Sequence, residues 1–106
     1  SFMDSTKLIS CTSVTKNTGI DFNVGLNGVT SFSINFTTAS DDDTVMYHLF
    51  SGGISKQSGT LIGQSGMTIT NTSGYTIRTL QIEYRSNKEG DEGSFSISSL
   101  TVNWTC

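Results

Sequence analysis

Polar and apolar residues alternate without a break from Thr79 to Arg85, with Leu80, Ile82 and Tyr84 on one parity and Gln81, Glu83 and Arg85 on the other. A period of two is the signature of a β-strand with one face on a core and one toward solvent. The same beat recurs over residues 7–14, 19–26, 30–38, 44–51, 60–64, 67–71, 75–85 and 94–105. Turn-rich pieces separate these segments: Asn27-Gly28, Ser51-Gly52-Gly53, Gln64-Ser65-Gly66, Ser73-Gly74 and residues 88–93. No window of ten or more residues keeps apolar positions at three- and four-residue steps, so helix is not expected. The pattern predicts an all-β fold, an antiparallel β-sandwich or jelly roll of about eight strands.

Parity assigns faces. Ile20, Phe22, Val24 and Leu26 share one side, as do Phe32, Ile34 and Phe36, while Asp21, Asn23, Ser31, Ser33, Asn35 and Thr37 face out. In the last segment Phe95 and Ile97 keep one parity and Leu100, Val102 and Trp104 the other, which predicts a β-bulge around Ser98-Ser99. Residues 44–51 are ambiguous, because Val45, Tyr47 and Leu49 compete with Met46, His48 and Phe50. Either the strand is central and covered on both sides, or one set forms an exposed aromatic surface.

A chain of 106 residues makes one domain, read as residues 7–106 behind a short tail or cloning remnant at 1–6. Only 14% of it is charged, against 17 Ser and 16 Thr, so the surface is built from hydroxyls and amides that suit neutral polar ligands. A net charge of −3 with six Lys and Arg argues against nucleic acid and anionic membrane surfaces. The longest apolar stretch falls far short of the ~20 residues of a membrane helix. The amino terminus carries no basic-then-apolar leader, so an export signal would have been trimmed or sat upstream.

Cys11 and Cys106 lie near the two ends. Two readings stand: a bridge closing nearly the whole chain, worth roughly 4 to 5 kcal/mol in the chain-entropy model, or two unrelated thiols. The bridge would put the protein outside the reducing cytosol, secreted or extracellular. Asp41, Asp42 and Asp43 cluster between two strands, where carboxylates can hold calcium. They lack the alternating ligands of a dedicated calcium loop and read as a solvated acidic turn, so no cofactor is expected.

Catalytic constellations are sparse. His48 is the one histidine, and no serine or cysteine stands in an activating motif with it. Glycoside hydrolysis needs two acids ~5 to 9 Å apart across one bond; Glu83 is the only acid firmly placed on a predicted sheet, and the others are read as loop residues. The chain is therefore read as not an enzyme. Sugars are bound by aromatic faces with amides and charged groups that satisfy the hydroxyls. Gln81, Glu83 and Arg85 form an outward row, which Tyr47 on an adjacent strand would complete as a platform, with His48 a further candidate contact. Trp104 and Tyr84 are further aromatic candidates, although their parity also reads as core.

Residues 75–84, a glycine-containing loop and residues 95–102 together resemble the closing strands of β-sandwich carbohydrate-binding modules attached to bacterial plant-polysaccharide-degrading, cellulosomal enzymes. The resemblance implies that Gln81 and Glu83 bind hydroxyls, and that Tyr84 and Arg85 occupy places where tryptophans are common in that family. It implies a non-catalytic module, monomeric within a larger secreted polypeptide, that tethers an enzyme to β-glucan or hemicellulose. A structural or adhesive spacer of a bacterial surface protein, binding no glycan, is the alternative, since sandwiches host both.

Overall fold

Four nested antiparallel pairings organise the chain. The computed structural model describes residues 2–3, 12–14, 18–25, 27–38, 43–61, 65–86 and 95–105. Among these every regular element is a strand: β1 (Phe2–Met3), β2 (Thr12–Val14), β3 (Thr18–Asn23), β4 (Val29–Thr38), β5 (Asp43–Ser51), β6 (Ile54–Thr60), β7 (Gly66–Thr70), β8 (Thr79–Ser86) and β9 (Phe95–Thr105). Innermost in sequence, β5 pairs with β6; outside it β4 pairs with β7, then β3 with β8, then β1 and β2 with β9. Added pairings of β9 with β4 and of β8 with β5 complete two sheets, β1-β9-β4-β7 with β2 also on β9, and β3-β8-β5-β6. From β3 onward every connection except that between β5 and β6 passes from one sheet to the other. The fold is thus all-β with two antiparallel sheets, consistent with a β-sandwich.

The core is what the parities predict. Phe32, Ile34, Phe36, Ile69, Phe95, Ile97, Leu100 and Val102 from one sheet, and Val45, Leu49, Leu80, Ile82 and Tyr84 from the other, are buried. Tyr84 and Phe95 join the sheets, their ring centroids 5.8 Å apart, and Phe36 extends the cluster at 5.5 Å from Phe95. The predicted bulge is present: Asn35 faces Ser99 and Phe36 faces Ile97, so Ser98 has no partner across the ladder and both halves of β9 keep their apolar residues inward. Ser98 Oγ donates to the Asn35 carbonyl at 3.1 Å.

Departures from the expected elements have local causes. Among the described residues seven strands have five or more residues and two are shorter, rather than eight equal ones. A strand runs over Ile54–Thr60 where none was expected, because Ile-Ser-Lys-Gln-Ser-Gly-Thr has no apolar alternation to reveal it; of the strand expected at 60–64, Leu61 is not strand and residues 62–64 lie outside the described residues. It is an edge strand bulged at Lys56, between the Leu49–Gln57 and Phe50–Ser55 pairs. It follows a two-residue turn whose Gly52 and Gly53 have φ of 61° and 80°, the positive values a type I′ hairpin requires. Residues 75–78 are not strand: Asn71 accepts from Ser73 N and Oγ at 3.0 and 2.6 Å to start a loop that drops Ile77 into the core. Gln57 then ties the sheets at one edge, donating to the Thr70 carbonyl at 2.8 Å and accepting from Thr72 N at 2.9 Å.

Cys11, Cys106, Asp41 and Asp42 lie outside the described residues, and Asp43 is described only as the first residue of β5.

Candidate functional site

Position in the sheet resolves the ambiguity of residues 44–51. β5 lies between β8 and β6, with Val45 and Leu49 buried and Tyr47 packed beside them, so Met46, His48 and Phe50 point outward, each partly covered. The registers then assemble the outer face in rows. Asn23, Thr79, Phe50 and Ser55 form one; Asp21, Gln81, His48 and Ser58 the next; Gly19, Glu83, Met46 and Thr60 the third; and Arg85 with Thr44 begins a fourth.

Hydrogen bonds link the rows. Gln81 Nε2 donates to Asp21 Oδ1 at 2.9 Å, and Thr79 Oγ1 donates to Asn23 Oδ1 at 2.9 Å. Arg85 Nη2 donates to Glu83 Oε2 at 3.1 Å, while Glu83 Oε1 lies 3.3 Å from His48 Nε2. The Arg85 hydrogen bond, followed by that of His48, holds the Glu83 carboxyl below its ordinary value. An ionised carboxylate only accepts, so His48 carries a proton on Nε2. In the neutral ring Nδ1 therefore accepts from Ser58 Oγ, 2.7 Å away.

At one end of this face is a groove of about 250 Å³ lined by Asp21, Asn23, Phe50, Gly53, Thr79 and Gln81. Its origin is steric. β8 supplies a floor of Thr79 and Gln81, while β3 and β5 raise Asn23 and Asp21 on one side and the Phe50 ring on the other, and Gly53 adds no side chain from the turn. The groove is small and open to solvent, a place for a single sugar ring rather than an extended cleft. Asp21 Oδ2, Gln81 Oε1 and Asn23 Nδ2 have no hydrogen-bond partner among the described residues, so three residues that line the groove beside the Phe50 ring keep unused acceptors and a donor.

The expected site residues divide. Gln81, Glu83 and Arg85 share the outer face as predicted by parity, and His48, whose side the parity left open, joins them. Tyr47 does not join them: it faces inward over Gly59, and Phe50 is the aromatic residue of this surface. Tyr84 is 1% exposed and its ring belongs to the core, so it is closed to a ligand. Trp104 ends the other sheet with the inward parity of Leu100 and Val102, its indole nitrogen buried without a partner among the described residues. Asp21, Asn23, Thr79 and Phe50 were missed as a group because their proximity is set by strand order; the outward parities of Asp21, Asn23 and Phe50 were the available signal.

The outer face of the five-stranded sheet is different in kind. Ser31, Ser33 and Asn35 of β4 face Asn103, Thr101 and Ser99 of β9, with Thr68 and Thr70 of β7 alongside and no aromatic ring among them. Its amides are spent internally: Asn35 Nδ2 donates to Ser99 Oγ at 2.7 Å and Asn103 Nδ2 to Ser31 Oγ at 2.9 Å. No family model matches the chain, and no curated protein or solved structure does either.

Proposed function

We propose that this protein is a non-catalytic carbohydrate-binding module whose site is the Phe50 groove. The observation that carries the reading is one aromatic ring turned outward beside unspent amide and carboxylate groups in a sugar-sized hollow. A pyranose seated there stacks a C–H face on Phe50, receives a hydrogen bond from Asn23 Nδ2 and donates hydroxyls to Gln81 Oε1 and Asp21 Oδ2. His48, Glu83 and Arg85 line the way a longer glycan takes along β8. The low charge and the hydroxyl-rich surface favour a neutral polymer. The resemblance of the closing strands favours plant cell-wall β-glucan or hemicellulose, with the module secreted as part of a larger polypeptide whose enzyme it concentrates on its substrate.

The sandwich is, on the same proposal, a jelly roll. In that fold a long antiparallel hairpin winds on itself, so first strand pairs with last, second with second-last and so inward. The nested pairings of β5–β6, β4–β7 and β3–β8 support this, with β1 and β2 taken as two pieces of one edge strand on β9.

Affinity electrophoresis through gels containing β-glucan, xyloglucan, mannan or pectin tests the binding. Retardation by at least one polymer, lost in Phe50→Ala, is expected. Unchanged mobility in all four would favour the spacer reading, which the Ser, Thr and Asn positions that β4, β7 and β9 turn outward support.

A further inference from the structure

We infer that the groove selects uncharged pyranoses and rejects uronates, and that Asp21 is the residue that makes the distinction. This rests on the carbohydrate-binding reading and adds the class of sugar. β3 and β5 flank β8, so the two walls stand two strand spacings, roughly 9.6 Å, apart. A ring between them that lies on Phe50 presents its opposite edge to Asn23 and Asp21. Gln81 Nε2 holds Asp21 Oδ1 at 2.9 Å and thereby turns Oδ2 free. A sugar hydroxyl donates to that oxygen; a carboxylate at C6 has no proton to give and brings a like charge to it.

Among the described residues no Lys or Arg side chain bonds to Asp21. Their partners lie elsewhere: Arg78 Nη2 donates to Asn27 Oδ1 at 2.6 Å, Arg85 pairs with Glu83 at 3.1 Å, and Lys56 Nζ stands over the Tyr75 ring at 4.3 Å. Gln81, the other contact of Asp21, is neutral. Glu83, one row away, adds a carboxylate already paired with Arg85 and His48. Selection here works by disfavouring the wrong ligand rather than by adding contacts to the right one.

Binding is measured on immobilised β-glucan, xyloglucan and mannan, and on the same polymers oxidised at C6 to the uronate, with the wild type and Asp21→Asn. The wild type is expected to bind a neutral polymer about tenfold or more tightly than its oxidised form, a ratio that Asp21→Asn and 0.5 M salt each shrink toward one. Asparagine keeps an oxygen for Gln81, and circular dichroism confirms that the variant is folded. Equal wild-type binding of both forms, or a ratio that Asp21→Asn leaves unchanged, overturns the assignment while the carbohydrate-binding reading stands. Binding of no polymer, neutral or oxidised, overturns both.

Discussion

Tyr47 lies over Gly59: a Cβ built on that glycine would sit 2.6 Å from Tyr47 Cε2 and 2.8 Å from its hydroxyl oxygen. The two residues face each other across β5 and β6, on the side of the sheet that meets the core. The missing side chain of an edge strand is thus filled by the aromatic ring of its neighbour. Tyr47→Ala therefore acts on stability, lowering it by about 2 kcal/mol or more, and Gly59→Ala costs about 1 to 3 kcal/mol by overpacking. Urea midpoints at constant m check both. Midpoints like that of the wild type would mean that the ring does not pack there.

Phe50 carries the opposite expectation. Its ring stands on the outer face near His48, centroids 6.3 Å apart, and is not part of the core cluster. Phe50→Ala should remove glycan retardation while shifting the free energy of unfolding by less than about 1 kcal/mol. Tyr84→Ala, a few residues' width away but sealed in the core, should cost about 3 to 5 kcal/mol. A Phe50 variant that unfolds early and still binds would reverse the roles given to the two faces.

Acid should expose the Glu83 network. The folded carboxyl titrates below its ordinary 4.5, lowered first by the Arg85 hydrogen bond and then by His48. The ionised form is favoured by folding, so its stabilisation is fully present above pH 4.5 and is lost as pH falls through the depressed folded value. The stability difference between wild type and Glu83→Gln should be constant at higher pH and narrow below 4.5. Urea unfolding at a series of pH values measures it, and a gap that widens in acid would contradict the pairing.

Ser98 separates two ways of damaging one position. Ser98→Ala removes a single exposed hydrogen bond to the Asn35 carbonyl and should cost less than about 1 kcal/mol. Deleting Ser98 removes the extra residue itself, so either Phe95 and Ile97 or Leu100 and Val102 must turn outward. The deletion should abolish a cooperative thermal transition. A two-state melt close to that of the wild type would show that β9 re-registers without loss.

Legibility varied with how local each cause is. The strands β3, β4 and β8 were readable because they alternate, and the bulge because an apolar parity switches between Ile97 and Leu100. β6 was not, since Lys56, Gln57 and Ser58 carry no apolar beat and its place in the fold comes from pairing with β5. Val45 and Met46 gave residues 44–51 two apolar sides, and no property of the segment alone chooses between them. Tyr47 looked as suitable for a surface as Phe50 until Gly59 supplied the space beneath its ring.

By itself the chain determined which side chains share a face within a strand, because direction alternates with every residue of extended backbone whatever its surroundings. It thereby determined the two-sidedness of Gln81 and Leu80, the inward Phe32, Ile34 and Phe36, and the need for an extra residue at Ser98. Tertiary structure alone decided which strands are neighbours. Asp21 meets Gln81 from sixty positions away, and Phe50 stands beside Thr79 because β5 pairs with β8. A groove is made of such meetings, and they follow from how the two sheets close over one core, a global balance of buried surface that no single stretch of residues encodes.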